Sequence, residues 1–481
     1  MQRKFITNLL FLVLVNLLIK PFWIFGIDRE VQNVIGAEGY GSYFALLNLS
    51  IILNIVLDAG ITNYNNRNIS QHNHLLGKYF GSLISLRLLL AIGYTIVCLL
   101  VAVLSGYNDD SKFMLGLLCF NQFLLAGILF LRSNLAGLHL FKTDSIISVS
   151  DRFLMIVLCG IGLWTTIFNR PFTINMFVML QTVAYLTTAV VALLLVWLKA
   201  GNVKFGIDLK LFRVILKQSA PFALLVLLMS IYNRQDAVLL DLLHPNGAIQ
   251  AGIYAQAFRL LDAGNMFAYL FAVLLLPIFA RMLKLKQPIA ELSRMSLGLL
   301  IIPATIVALV AWFYSNPIMS LLYSDMVSES QVVFPWLMFA FVSMAGSYVV
   351  GTLLTANGSL KILNSIAIVA VIISIILNVL LIPSFGALGS AWIAAGVQTM
   401  VFLIQCHFVQ RIFKAMPTAK EIGLYLVFIF SSYGIGQLVT SQLDNWLLGS
   451  AVLVAVSLVI ALGLRLIKPL EMLEIVRSKT D

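Results

Sequence analysis

The stretch from Ser230 to Asp262, SIYNRQDAVLLDLLHPNGAIQAGIYAQAFRLLD, decides what kind of chain this is. It joins the end of one long apolar run to the start of the next. It holds Arg234, Asp236, Asp241, Arg259 and Asp262, in a chain of which only 11% is charged. Each flanking run has the length of a bilayer crossing, about 20 apolar residues. A charge near mid-membrane costs at least ~2.5 kcal/mol even on mild insertion scales, so it is expected to face a partner or a water-filled cavity. The stretch therefore predicts polar chemistry inside a membrane-spanning chain.

The same stretch repeats an earlier one. Gly247-Ala248 followed by Gly252-Ile253-Tyr254-Ala255 matches Gly36-Ala37 followed by Gly41-Ser42-Tyr43-Phe44-Ala45, at a constant offset of 211 residues. Both copies lie between one apolar run and a new run that starts with an aromatic. This reads as a duplicated unit, and hence as two similar lobes.

Composition agrees with a membrane protein. The 481 residues are 61% hydrophobic, with a mean hydropathy of +0.99, against about 45–50% apolar residues in a soluble chain. The net charge of +11 does not point to nucleic acid, because the basic residues fall in short loops on alternate sides of the runs. Cys98, Cys119, Cys159 and Cys406 all lie in apolar runs without loop pairing, which predicts core packing rather than a disulfide or metal site.

Fourteen apolar runs are expected, at 5–27, 40–61, 81–104, 113–135, 146–168, 174–198, 219–242, 251–279, 296–314, 333–356, 362–383, 387–409, 421–440 and 446–466. Their lengths suit helices; barrel strands would show about ten alternating residues. Pro221, Pro277, Pro303 and Pro335 lie inside runs as expected bending points. The first run follows Arg3-Lys4 and ends in Lys20-Pro21-Phe22-Trp23 with no small-residue cleavage site, so it reads as a retained span. Of the 31 Lys and Arg, 22 fall at the N-terminus, in the even-to-odd connections or in the C-terminal tail, and three on the opposite side. That asymmetry predicts both termini in the cytoplasm. No connection exceeds about 20 residues, which leaves no soluble catalytic domain and no Walker phosphate loop. The longest, Lys199 to Ser219, reads as a basic amphipathic linker on an anionic membrane face.

From Leu354 the chain reads LTANGSLKILNSIAIVAVIISIILNVLLIPSFGALGSAWIAAGVQ. A polar turn at Asn357-Gly358 and Lys361 precedes a span closing in Asn378 and Ile382-Pro383, then Gly386-Ala387-Leu388-Gly389-Ser390-Ala391. This resembles the polysaccharide flippases of the multidrug, oligosaccharidyl-lipid and polysaccharide exporter superfamily. Tyr40-Gly41-Ser42-Tyr43, Leu57-Asp58-Ala59-Gly60 and Asp236…Gly252-Ile253-Tyr254…Arg259-Leu260 fit the same resemblance, which covers nearly the whole chain.

The resemblance implies an all-α polytopic protein of about 14 transmembrane helices, in two pseudo-symmetric six-helix lobes plus two C-terminal helices. The lobes would be residues 1–210 and 211–415, with residues 416–481 holding the last two spans and a cytoplasmic tail. It implies a bacterial cytoplasmic (inner) membrane location and a lipid-linked oligosaccharide on an isoprenoid diphosphate as cargo. The cargo would be flipped by alternating access for surface polysaccharide biosynthesis. The implied partners are membrane lipids and the polysaccharide polymerase and glycosyltransferases of the same pathway, with no nucleic acid. No organic cofactor is implied; H+ or Na+ is left open as a coupling ion.

Six basic residues lie inside spans: Lys20, Arg87, Arg132, Arg152, Arg234 and Arg259. Each is a candidate cation for an anionic headgroup. Each also has a plain reading: Lys20, Arg87, Arg132 and Arg152 lie near span ends, from where a long side chain reaches the interface or a neighbour. Asp58, Asp151, Asp236 and Asp262 are the candidates for ion coupling or for buried pairing. Arg234 with Asp236, and Arg259 with Asp262, should reach similar depth, so an Asp236–Arg259 bridge competes with a cavity-facing arginine. His72 and His74 read as solvated and do not make a metal site. A drug or organic-cation antiporter of the same superfamily shares the fold but needs no intramembrane cations. A membrane polysaccharide polymerase or glycosyltransferase needs a large external loop or a soluble catalytic part, and neither is present.

Overall fold

In a computed structural model the chain is described at residue 19 and residues 21–58, 60–62, 65, 69, 75–138, 140–165, 167, 171–201, 206 and 209–466. Leu75, Lys78, Phe141, Leu209, Leu211, Gln218 and Ser219 are described through their backbone alone. Among the described residues all regular structure is helical. A π-helical turn at Trp23–Asp28 runs directly into α1 (Arg29–Ile52), and a turn at Leu53 and Asn54 leads to the single-turn α2 (Ile55–Asp58). The long helices follow: α3 (Leu75–Leu104), α4 (Asp109–Gly137), α5 (Phe141–Trp164), α6 (Ile174–Ala200), α7 (Leu209–Leu243), α8 (Gly247–Lys284) and α9 (Ala290–Leu322). The last four are α10 (Val327–Ala356), α11 (Leu360–Phe413), α12 (Ala419–Gln442) and α13 (Trp446–Gly463).

Twelve described helical segments are long and apolar enough to cross a membrane. One of them, α11, has 54 residues. At 1.5 Å per residue it is ~80 Å long, far more than a hydrocarbon core of ~30 Å. It holds two crossings, those expected at 362–383 and 387–409. They separate at Gly386, whose φ of 51° and ψ of −134° suit a residue without a Cβ. Across that break Ser390 Oγ donates to Asn378 Oδ1 at 3.0 Å, with both residues fully buried. The motif that carried the resemblance is thus, in physical terms, the staple of a helical hairpin. Counting α11 twice accounts for the expected runs from the second onward, while the first, 5–27, lies mostly outside the described residues.

Two local expectations change. The connection expected between the first two runs is helical, continuing through Asp28 and Arg29, and is interrupted only at Gly36 (φ 78°, ψ 168°). The breaks within α1, α9 and α11 fall at Gly36, Tyr314 and Gly386, not at the prolines named from sequence. Tyr314 (φ −125°, ψ 27°) stands three residues before Pro317, whose ring crowds the preceding turn and removes a donor.

The chain divides into two compact units, Met1–Gly252 and Ile253–Asp481. In the first unit α4 packs on α1, α3 and α6, and α7 packs on α1. Large buried aromatics, Tyr40, Tyr43, Phe44, Phe80, Phe130 and Phe177, fill the space between them. The repeat found in the sequence is a packing contact here. A Cβ on Gly41 would strike the carbonyl oxygen of Ala248 and the amide nitrogen of Gly252, and a Cβ on Gly252 would strike the carbonyl of Ala37. Ala37 pairs with Ala248, and Gly41 with Gly252, by the same offset of 211 residues. The two copies therefore meet reciprocally, backbone against backbone, as small residues four apart allow in membrane helices.

In the second unit α10 packs on α9 and α11, while α12 and α13 lie on α9. Ile302 and Ile306 of α9 meet Phe428 and Ala461; further along, Leu309 and Tyr314 meet Leu453. Glycines admit the larger rings: Gly436 sits against Phe313 and Gly449 against the Tyr314 hydroxyl.

Candidate functional site

The interior of the first unit carries a chain of polar side chains on the π-helical turn, α1, α5 and α6. Asp28 is 1% exposed. The Tyr40 hydroxyl shares its one proton between the two carboxylate oxygens, at 2.8 Å and 3.0 Å, and Gln32 Nε2 donates to the carboxylate at 3.2 Å. The burial of Asp28 follows from the helix continuing past residue 28, which sets Gln32 one turn on, and from the break at Gly36, which turns Tyr40 back over the carboxylate. Next along, Tyr43 lies edge-on to Tyr40 with ring centroids 5.4 Å apart, and its hydroxyl accepts from Gln181 Nε2 at 3.1 Å.

Arg152 of α5 shares this interior. Its guanidinium lies 5.5 Å from the Trp23 ring centroid and 5.8 Å from that of Tyr185. Nη1 donates to Tyr185 Oη at 3.2 Å and to Met155 Sδ at 3.6 Å. The nearest carboxylate, Asp151, is 3.8 Å from Nε, at the outer limit of an ion pair. Aromatic faces and neutral acceptors hold this cation in place without neutralising it tightly.

The other candidate arginines of the unit are placed differently. Arg87 is 5% exposed, and its Nη2 donates to Asp58 Oδ1 at 2.5 Å and to Thr62 Oγ1 at 2.7 Å. Nη1 donates to the Ala126 carbonyl at 3.0 Å, and the guanidinium stacks 4.6 Å from the Phe130 ring. Thr62 also donates to Asp58 through its hydroxyl and its backbone amide. Arg87 and Asp58 thus join α2, α3 and α4. Arg132 Nε donates to Asp144 Oδ1 at 2.7 Å, tying the end of α4 to the start of α5. Arg234 Nη1 reaches Asn48 Oδ1 at 3.5 Å, and Asp236 is 3% exposed.

In the second unit Arg259 Nη1 lies 3.7 Å from Asp262 Oδ2, one helical turn away on α8. Asp236 and Arg259, proposed from sequence as a bridge, belong to different units. Lys20 lies outside the described residues, as do His72 and His74. The remaining acid of the quoted stretch, Asp241, stands near the turn between α3 and α4. Burial first, and then the Asp241 carboxylate, push the Tyr107 phenol in that turn upward. Among the described residues no three His, Cys, Asp or Glu side chains come together as a metal cluster.

Sequence reasoning missed Asp28, Gln32, Tyr40 and Gln181. Asp28 stands beside Arg29-Glu30 and looks like a loop charge. Its i, i+4 relation to Gln32 is a helical spacing, but Tyr40, twelve residues on, would lie ~18 Å away along a continuous helix and reaches Asp28 through the break at Gly36.

The fold has known counterparts. A lipid II flippase MurJ in an inward closed conformation superposes with a TM-score of 0.73 at 13% identity, covering 94% of this chain and 98% of the other. An inward-facing multidrug resistance MATE family transporter of the MOP superfamily gives a TM-score of 0.61 at 14% identity, covering 82% and 94%. The Vibrio cholerae MATE transporter VcmN in its bent form gives 0.53 at 14% identity, covering 85% and 95%. At these identities the likeness is one of fold, and it is the fold of multi-pass membrane transporters. No curated protein matches the sequence itself. The family model described as polysaccharide biosynthesis protein matches residues 6–283. With more than half of its length matched, and with the fold of the flippases and MOP transporters, the chain belongs to the polysaccharide biosynthesis protein family.

Proposed function

We propose that the protein translocates isoprenoid-diphosphate-linked oligosaccharide units across the bacterial cytoplasmic membrane by alternating access, as a step in surface polysaccharide biosynthesis. The observation that supports this reading is Arg152, a cation within a membrane crossing whose contacts are aromatic faces, a phenol, a thioether and one distant carboxylate. A cation so placed is expected to seek an anion, and a diphosphate headgroup supplies one. Arg234 and Arg259 are the further candidate headgroup contacts. Asp28, which the structure adds to Asp58, Asp151, Asp236 and Asp262, is the proposed carrier of H+ or Na+, because it is a carboxylate only 1% exposed in the interior of the first unit. On this reading the cargo comes from glycosyltransferases and passes to a polysaccharide polymerase.

Loss of the protein is expected to leave lipid-linked repeat units on the cytoplasmic leaflet and to lower surface polysaccharide. The direct test is purified protein in liposomes carrying isoprenoid-diphosphate oligosaccharide, with leaflet exposure read by an added glycan-binding protein. Flipping in wild type and its loss in Arg152→Gln support the proposal; equal flipping in protein-free liposomes sinks it. The rival reading, an organic-cation antiporter, draws on the buried acid at Asp28. It wins if deletion raises drug sensitivity and leaves surface polysaccharide unchanged.

A further inference from the structure

Helix ends in the second unit follow a pattern the transport reading does not use. A helix that closes on a left-handed residue usually places glycine there, because a Cβ crowds that conformation. Gly106 and Gly358 do so, with φ of 77° and 74°. Three other helix ends use a cation instead: Lys286 after α8, Lys414 after α11 and Arg465 after α13, with φ of 52°, 54° and 55°. Two of the closing hydrogen bonds run from i to i−5, as at the glycine ends, and that of Lys414 from i to i−4. Gln287 N donates to Met282 O at 2.9 Å, Leu466 N to Ala461 O at 3.0 Å, and Lys414 N to Gln410 O at 3.0 Å. Glycine would make these turns with less strain, so something other than the turn accounts for the side chains.

All three lie at one end of the unit. Arg294, on the first turn of α9 just after Lys286, donates through Nε to Met416 O at 3.0 Å, and Gly298 lies against the Leu466 carbonyl. Each cation is exposed, and each follows an exposed aliphatic by one to three residues: Leu285, Ile412 and Leu462, at 53%, 42% and 48%. Arg281 and Arg411 add exposed positive charge at the same end, where Glu421 is already paired with Arg294, while Lys284, Lys361 and Lys420 are exposed there but follow no exposed large aliphatic. Attraction to the negative end of a helix explains a cation near the last turn. It does not explain an exposed aliphatic beside each one. An aliphatic followed by a cation at the end of a membrane helix is the pattern that sets the first in acyl chains and the second among phosphates.

We propose that Lys286, Lys414 and Arg465 form a docking surface for anionic phospholipid headgroups of the leaflet that meets this end of the second unit. On the positive-inside expectation that leaflet is the cytoplasmic one. The inference does not depend on what the protein transports.

The test uses full-length protein in nanodiscs of phosphatidylcholine alone and of phosphatidylcholine with phosphatidylglycerol, followed by thermal melting. Wild type is expected to melt higher when phosphatidylglycerol is present. The triple variant K286G/K414G/R465G is expected to melt no lower than wild type in phosphatidylcholine, its backbone strain being relieved, and to lose most of the phosphatidylglycerol gain. The control K284Q/K361Q/K420Q removes the same charge and is expected to keep most of the gain. No gain in wild type overturns the proposal. So does a triple variant that keeps the full gain, or a control that loses as much. If the triple variant does not fold in phosphatidylcholine, the three single variants decide: each must lose part of the gain.

Discussion

Arg87 and Arg152 sit in membrane crossings of the same unit and look alike in the sequence, yet they are held in opposite ways. Arg87 spends its hydrogen bonds on Asp58, Thr62 and the Ala126 carbonyl and stacks on Phe130. Arg152 is held mainly by ring faces, with its carboxylate neighbour at 3.8 Å. The difference teaches that charge inside a membrane is not itself the mark of a binding site. What distinguishes the two is how fully the charge is answered by its own chain.

The largest expected effect breaks the Arg87 side of the comparison. The Arg87 side chain is 6% exposed and that of Asp58 26%, so the pair is buried on the arginine side. Removing Arg87 also breaks its bonds to Thr62 and the Ala126 carbonyl and its stack on Phe130. A cost of ~3 kcal/mol, the low end for breaking a buried pair, is expected. Arg87→Met is therefore expected to reduce the amount of folded protein sharply, measured by fluorescence-detected size exclusion. Adding Asp58→Asn should restore part of it, since the unanswered charge is gone and the amide oxygen can still accept from Thr62. Normal abundance of Arg87→Met would show that the α2–α3–α4 contact is not held by this pair.

Arg152 should behave in the reverse sense. Losing its ring contacts costs ~0.5–2 kcal/mol, so Arg152→Gln should fold and insert. A hydrogen bond to a charged group is worth ~1.5–3 kcal/mol, which predicts roughly a 10- to 100-fold loss of flipping in liposomes. Arg152→Lys should keep part of the activity, since charge survives while the planar fork is lost. Flipping at the wild-type rate in Arg152→Gln would remove Arg152 from the site.

Asp28 sharpens the comparison from the acid side. Asn is nearly isosteric and still accepts from Tyr40, so Asp28→Asn should change stability by only about 1 kcal/mol. If Asp28 carries the coupling ion, the variant should flip at a rate indifferent to an imposed pH or Na+ gradient. A response to either gradient equal to that of wild type would place the coupling elsewhere.

The long elements were legible because a bilayer demands runs of one length and one character. Thirteen of the fourteen expected runs correspond to described helices, those at 362–383 and 387–409 as halves of α11. The repeat was legible too, and Gly41 against Gly252 shows why its spacing matters: a backbone contact tolerates no Cβ at either position. The candidate site was legible only as a set of residue types. Arg87 finds a partner 29 residues away and another on a different helix; no local pattern encodes that meeting. Asp28 was hidden because its burial depends on the helix continuing past it and then breaking at Gly36 to bring Tyr40 back, where the sequence shows only a cluster of charges.

Arg132 gives the smallest effect and the strictest check on the comparison. Like Arg87 it has a short bond to a carboxylate, 2.7 Å to Asp144, but its own side chain is 23% exposed against 6% for Arg87, while Asp144 is 16% exposed and Asp58 26%. Arg132 is open enough to stay solvated when Asp144 is removed, and it lacks the carbonyl bond and ring stack that hold Arg87. Pairs of this kind contribute ~1 kcal/mol or less. Arg132→Gln is therefore expected to lower the melting temperature slightly and to leave flipping within about twofold of wild type, given that 1.4 kcal/mol is a factor of ten. A collapse of folded protein would put Arg132 with Arg87, and a folded but inactive protein would put it with Arg152. Either result would show that partner distance alone misclassifies a membrane arginine, and that the exposure of the pair has been weighted wrongly.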